Sequence, residues 1–179
     1  MLLRVVRHCD VSDKFLALPR HPRRAHISSV PHDLHSRNFQ PQDILCGIAA
    51  SGRTPYVLGA IDEANRLGAT TIGISCAPDS ELSRRAKIAI TPTPGPEIIA
   101  GSTRLKAGTA TKVVLNLLST CAMVRLGRVR GNSMVDLRIS NAKLRDRGVR
   151  LVSRELRISY EEARERLEKA GWNVRAALS

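Results

Sequence analysis

The stretch from Ile44 to Leu67 constrains this chain most. Ile44-Leu45-Cys46-Gly47-Ile48-Ala49 has no charged side chain and no polar alternation, the pattern of a strand buried on both faces. A small polar loop follows, Ala50-Ser51-Gly52-Arg53-Thr54, and then Pro55 opens a helix-like pattern. Thr54 suits an N-cap and Pro55 the first helical position. Val57, Ala60, Ile61, Ala64 and Leu67 fall on one helical face, and Gly68 is a natural terminator. A buried strand, a polar loop and a helix start make a place to hold an anion. Ser51, Gly52 and Thr54 offer hydroxyls and backbone N–H groups at the positive end of the helix dipole. Phosphate is the guest this chemistry fits. Such a loop also serves simply to join a strand to a helix.

The pattern then repeats. Thr70–Ser75 is rich in β-branched residues and reads as a second strand. Cys76–Ser80 is a loop, Glu81–Lys87 makes one or two helical turns, and Ile88–Thr91 is a third strand. Strands alternating with helices imply a parallel sheet with right-handed crossovers. Ligands on such sheets sit beyond the carboxyl ends of the strands. The Ser51–Thr54, Cys76–Ser80 and Pro92–Gly101 loops all lie at such ends, so they are expected to converge on one mouth.

The third loop carries Pro94-Gly95-Pro96-Glu97 and then Gly101-Ser102-Thr103. Ser102 or Thr103 is expected to cap a helix from Arg104 to Leu126, with Val113, Leu117, Cys121 and Val124 on one face. Arg104, Lys106 and Lys112 in its first turns oppose the helix dipole. That arrangement points to a nearby anion or to surface charge without function. Ser51, Gly52, Thr54, Glu97, Ser102, Thr103 and Lys106 are therefore the candidate substrate-binding residues. Glu97 has a second reading, as a carboxylate that caps helix-entry N–H groups.

Beyond residue 140 the chain turns helical. Asn141–Leu156 is one helix. Ser159-Tyr160-Glu161-Glu162 is a capping-box pattern opening a second to Ala170, where Gly171 ends it. Asn173 caps a short third, Val174–Leu178. Leu156, Ile158, Ala163, Leu167, Trp172, Val174 and Leu178 make the core of a mini-bundle rather than a binding groove. Residues 1–32 match neither region. They hold four of the five histidines and three prolines, and their periodicity is poor. They read as a flexible arm or a segment foreign to the fold. His32-x-x-His35 imitates half a metal site, but no cysteine or carboxylate pair completes it, so no metal is assigned. The domain division is thus 1–32, 33–140 and 141–179.

The net charge of +13 is concentrated: residues 101–150 carry eleven basic and two acidic side chains. Such a stretch suits an anionic partner or a solvated face. With 3% aromatic residues, base-stacking surfaces are scarce, and residues 1–32 show no helix-turn-helix, so nucleic acid is disfavoured. The four cysteines form no Cys-x-x-Cys pair. Cys46 and Cys121 lie in apolar patterns and are expected to be reduced core residues. No apolar stretch is expected to reach membrane-spanning length. Met1-Leu2-Leu3 meets Arg4 and Arg7 at once, the wrong order for a signal peptide. The cytoplasm is the expected location, with no membrane partner.

Four stretches in order carry a resemblance: DILCGIAASGRTPYVLGAI (43–61), GATTIGISCAPDS (68–80), IAITPTPGPEIIAGSTRLKAGTATKVVLNLLST (88–120) and AMVRLGRVRGNSMVDLRISNAKLRDR (122–147). Together they resemble the N-acetylmuramic acid 6-phosphate etherase family of sugar-isomerase (SIS) domain proteins. The tail SYEEARERLEKAGWNVRAAL (159–178) resembles that family's small helical unit, which is similar to a ubiquitin-associated domain. The resemblance implies an α/β fold: part of a doubly wound parallel sheet, the second half of a SIS domain, with a small C-terminal helical unit.

It also implies a homodimer with no metal or organic cofactor, acting on an amino-sugar phosphate in cell-wall recycling. In that reaction a base removes the proton beside the sugar's carbonyl carbon and an acid protonates the leaving lactate oxygen. Water then adds, giving N-acetylglucosamine 6-phosphate and D-lactate. The family's first Gly-x-Gly-Thr-Ser-Gly loop and its acid and base glutamates have no counterpart here. No glutamate precedes Glu63, and Glu63 falls inside the first helix. The catalytic residues are therefore unassigned, and the chain resembles the second half of an etherase behind an unrelated or out-of-frame leader. A sheet of three strands is expected to expose an open edge and to be poorly stable alone. A non-catalytic sugar-phosphate sensor, similar to the glucokinase regulatory protein, is the alternative.

Overall fold

The computed structural model describes residues 30–179 and the backbone of residues 2–5 and 16–17, with side chains from residue 32 onward. The elements run β1 (Leu2–Val5), β2 (Leu16–Ala17), α1 (Val30–His35), β3 (Ile44–Ile48), α2 (Pro55–Arg66), β4 (Thr70–Ile74), α3 (Glu81–Arg85), β5 (Ile88–Ile90), α4 (Lys106–Arg125), β6 (Val129–Arg130), β7 (Ser133–Met134), α5 (Ala142–Leu156), α6 (Tyr160–Lys169) and α7 (Val174–Ala177). The chain divides into two compact units, Met1–Leu115 and Asn116–Ser179.

The first unit is built on a sheet of order β2-β1-β3-β4-β5. β3, β4 and β5 are parallel, with Gly47 opposite Gly73 and Ile72 opposite Ile88. The edge beside β3, expected to be open, is paired: β1 lies antiparallel along it, with Leu3 opposite Cys46. Two-residue β2 adds outside β1. The backbone of these short strands satisfies the N–H and C=O groups that β3 would otherwise expose. The rest of the expected flexible arm lies outside the described residues.

Alternation along the strands gives the sheet two faces. Leu45 and Gly47 face α2; a Cβ on Gly47 would lie 2.9 Å from Val57 Cγ1, so the helix sits directly on the backbone there. Leu45, Val57, Ala60, Ile61, Ala64 and Leu82 form the core on this side. Thr71 is fully buried among them yet satisfied. Its hydroxyl donates to Asn65 Oδ1 (2.8 Å) and accepts from the Lys87 amide (2.9 Å). The opposite face presents Ile44, Cys46 and Ile48 on β3, Ile72 and Ile74 on β4, and Ile88 and Ile90 on β5. Only Cys46 and Ile74 of these are buried, and Ile88 is 48% exposed.

α4 departs from two expectations. Of its 20 residues only Ala107 is buried, so Cys121 is exposed rather than in a core. Val113 is 51% exposed and Leu117 59%. By length and composition alone α4 is also long and apolar enough to cross a membrane, with a mean hydropathy of 1.3, which corrects the expectation that no apolar stretch reaches that length.

The second unit holds a two-residue-strand hairpin, β6–β7, which local periodicity did not reveal, and the three expected helices. Ser159 and Asn173 cap the second and third as read from the sequence, Asn141, expected as the first residue of its helix, caps it instead, and Ser159 with Glu162 completes the capping box. Ala163, Leu167, Val152 and Val174 pack at its centre, with Leu156, Ile158 and Trp172 around them.

Candidate functional site

The ladder between β3 and β4 continues past both strand ends. The Ala49 amide donates to the Ile74 carbonyl (3.0 Å), and the Cys76 amide donates to the Ala50 carbonyl (2.9 Å). These two bonds stitch the Ser51–Thr54 loop to the Cys76–Ser80 loop. A turn closed by the Gly52 amide on the Ala49 carbonyl (2.8 Å) then swings the chain toward α2. Gly52 has φ +63°, and an added Cβ would lie 2.3 Å from both Cβ and Oγ of Ser80, so glycine alone fits. Its carbonyl accepts from the Leu82 amide in α3 (3.0 Å). The loop is thereby braced against the start of α3.

Ser51 and Thr54 are exposed on this loop and Gly52 is buried. The amides of Ser51, Arg53 and Thr54 donate to no described group. Thr54 is the residue before α2, as expected, but its side chain makes no cap bond. Pro55 at the first helical position brings no N–H of its own, and the Thr54 hydroxyl is left uncommitted. The result is a row of unspent donors at the positive end of a 12-residue helix.

The neighbouring loop contributes a hydroxyl cluster. Ser80 caps α3, accepting from the Ser83 amide (3.3 Å), and its Oγ lies 2.9 Å from Ser75 Oγ. Ser83 Oγ donates back to the Ser80 carbonyl (2.7 Å). Sequence placed this loop at the mouth without singling out Ser75 or Ser80. The signal was present in Ser80 preceding Glu81, an ordinary helix-start pair.

The start of α4 approaches the second loop at Cys76. The Cys76 Sγ lies 3.7 Å from the Ala107 carbonyl and 3.9 Å from Thr111 Oγ1, in the first turns of α4. The first two expected loops therefore meet around the ends of β3 and β4, and the Pro92–Gly101 loop is tied to α4 rather than directly to them. Glu97 reaches the same helix start from the other side. Its two carboxylate oxygens accept from the amides of Lys106 (2.9 Å) and Ala107 (3.0 Å). The Ala107 and then the Lys106 hydrogen bond hold the Glu97 carboxyl below its ordinary range. Glu97 is thus the cap of α4, in place of the expected Ser102 or Thr103, and is itself the anion that the basic first turns called for. Ser102 donates its amide to the Ile99 carbonyl (3.2 Å), and Thr103 is exposed. Among the described residues no hydrogen bond joins either to the Ser51–Thr54 loop. Lys106 has an exposed side chain beside Glu97. Glu63 sits within α2, paired with Arg66 at 2.7 Å, away from the loop ends.

The arrangement can bind an anion and sugar hydroxyls through amides, hydroxyls and a helix dipole. It brings no pair of carboxylates together for acid–base work. No three His, Cys, Asp or Glu side chains converge among the described residues.

Comparison with known proteins agrees with this geometry. Residues 25–120 match the SIS domain family, and residues 131–178 match the C-terminal lid domain of glucokinase regulatory protein. N-acetylmuramic acid 6-phosphate etherase 2 of Vibrio cholerae is 52% identical over 147 residues, covering 82% of this chain and 48% of its own. The etherase of Clostridium botulinum strain Hall is 51% identical over 146 residues, covering 82% and 48%. That of Salmonella paratyphi B is 50% identical, covering 82% and 49%. The chain spans about half the length of these curated relatives. It belongs to the SIS-domain family, and its similarity within that family runs to the N-acetylmuramic acid 6-phosphate etherases.

Proposed function

We propose that the chain supplies the sugar-phosphate-binding half of an N-acetylmuramic acid 6-phosphate etherase. The observation that carries this is the Ser51–Thr54 loop, whose free amides and uncommitted Thr54 hydroxyl lie at the positive end of α2. Similarity to etherases gives that anion site its substrate class. In this reading Ser51, Gly52 and Thr54 hold the phosphate or sugar hydroxyls. Glu97 holds the third loop against α4, so that Ser102, Thr103 and Lys106 border the same mouth. The residues that take the proton beside the carbonyl carbon and protonate the departing lactate oxygen are not assigned to this chain. The functional protein is a cytoplasmic homodimer acting without metal or organic cofactor. No nucleic acid or membrane takes part.

Calorimetric titration of the full chain with N-acetylglucosamine 6-phosphate tests the binding half of the reading. Saturable binding that unphosphorylated N-acetylglucosamine does not reproduce is the expected result. Equal or absent response to both sugars would overturn it. D-lactate release from N-acetylmuramic acid 6-phosphate, in the presence of the remainder of the fold, tests the reaction. A second reading, a non-catalytic sugar-phosphate-binding regulator, draws on the match of residues 131–178 to the regulatory protein's lid domain. Phosphate-dependent binding without lactate release from the completed fold would favour it.

A further inference from the structure

N-acetylmuramic acid 6-phosphate carries two separate anions, the phosphate and the carboxylate of its lactyl ether. The N-acetylglucosamine 6-phosphate left after lactate departs keeps only the phosphate. The Ser51–Thr54 loop has donors for one anion: free amides, two hydroxyls and the dipole of α2. A carboxylate binds best to a cation that offers several donors at once, and a guanidinium does so with two parallel N–H groups. The two loops that meet beyond β3 and β4, residues 50–54 and 76–80, contain a single basic residue, Arg53. Its side chain is exposed and makes no hydrogen bond or ion pair among the described residues. The arginines of the adjoining helices are committed: Arg66 to Glu63 (2.7 Å), Arg85 to Asp62 (2.6 Å) and Glu81 (2.7 Å), and Arg84 to the Asp79 carbonyl. Lys106 stands on α4 beside Glu97, whose carboxylate feels its charge. The backbone on both sides of Arg53 is fixed. Gly52 packs against Ser80 and donates its amide to the Ala49 carbonyl (2.8 Å), and Pro55 opens α2 two residues on. Arg53 is therefore anchored next to the Thr54 hydroxyl with its guanidinium uncommitted.

We propose that Arg53 is the residue that selects the lactyl carboxylate, so that this site tells the muramic acid phosphate from the sugar phosphate it becomes. The inference rests on the etherase reading and adds one contact to it. The guanidinium grips the sugar through the carboxylate only while the ether bond is intact. Once lactate has left, the sugar is held through its phosphate alone and is released more readily. Calorimetric titration of the full chain with N-acetylmuramic acid 6-phosphate and with N-acetylglucosamine 6-phosphate tests this. The first is expected to bind about ten-fold or more tightly, the effect of a hydrogen-bonded charge pair. Arg53→Gln should abolish that preference and leave N-acetylglucosamine 6-phosphate binding at the parent's level. Arg53→Lys keeps the charge without the fork and should restore only part of the preference. Arg53 is exposed and unpaired among the described residues, so both variants should melt with the parent. Equal affinity of the parent for the two sugars overturns the proposal and leaves the etherase reading standing on its phosphate. So does an equal loss for both sugars in Arg53→Gln, which would make Arg53 a phosphate contact. A preference that survives Arg53→Gln and disappears in Lys106→Gln would give the carboxylate to α4 and equally overturn it. Failure of the parent to bind either phosphorylated sugar takes down the etherase reading, and this assignment with it.

Discussion

A Cβ placed on Gly52 would lie 2.3 Å from both the Cβ and the Oγ of Ser80. The anion loop and the cap of α3 therefore touch with no room for a methyl group, and Gly52 also holds φ +63°. Gly52→Ala should destabilise the chain by about 1–3 kcal/mol from the left-handed backbone, with a further contribution of similar size from overpacking against Ser80. Urea denaturation checks this. A variant with the parent's midpoint would mean that the loop does not rest on Ser80.

Thr54 separates binding from folding. Its hydroxyl makes no cap bond, so Thr54→Ala should leave stability within about 0.5 kcal/mol of the parent. If that hydroxyl contacts a phosphate, its loss removes a hydrogen bond to a charged group, worth about 1.5–3 kcal/mol. N-acetylglucosamine 6-phosphate should then bind about ten-fold or more weakly. Ser51→Ala should behave in the same way. Calorimetric titration and thermal melting on the same sample check both halves. A fall in stability with unchanged affinity would return Thr54 to the role of a plain helix start.

Glu97 gives the third loop a pH dependence with a definite sign. Hydrogen bonds from the Ala107 and Lys106 amides lower its pKa in the folded chain below the ordinary 4.5. A depressed carboxyl contributes stability that is present above its unfolded value and lost as pH falls through the folded one. Amide exchange at Lys106 and Ala107, corrected for intrinsic rates, should therefore accelerate on the acid side of 4.5 and not near neutrality. Glu97→Gln should flatten that dependence. An unaltered profile in Glu97→Gln would show that another group holds the helix start.

What sequence made legible follows from the range over which each signal acts. β3, β4, α2 and the three C-terminal helices were readable because their apolar spacing and end residues lie within a few positions of one another. The side chains of Asn141, Ser159 and Asn173 each accept from the amide three residues on, at the start of the helix that follows. The cap of α4 was not readable as such, since Glu97 reaches across nine and ten residues, while Ser102 and Thr103 stand nearer. The pairing of β1 on β3 joins residues about forty positions apart, and the two-residue strands of β6 and β7 are too short for any period. Periodicity put Val113, Leu117, Cys121 and Val124 on one face of α4 but says nothing of what covers a face. The meeting of the first two loops was legible from topology alone. The part played by Cys76 in that meeting was not.

The three described cysteines turn these differences in cover into a chemical readout. Cys46 is 2% exposed, and burial pushes its thiol up to about 11, so almost no thiolate forms at pH 8. Cys76 is partly covered, with its Sγ against the Ala107 carbonyl. Cys121 is exposed on α4. Alkylation by iodoacetamide at pH 8 should therefore run Cys121 first, Cys76 next and Cys46 only on unfolding, since both access and thiolate fraction set the rate. Peptide mass spectrometry over a time course reads all three sites at once. Sequence patterning expects Cys121 to be slow, like Cys46, because both sit among apolar residues. Rapid labelling of Cys121 with Cys46 protected would support the bare helix. Equal protection of the two would show that a partner, or a second copy, already covers α4 in solution.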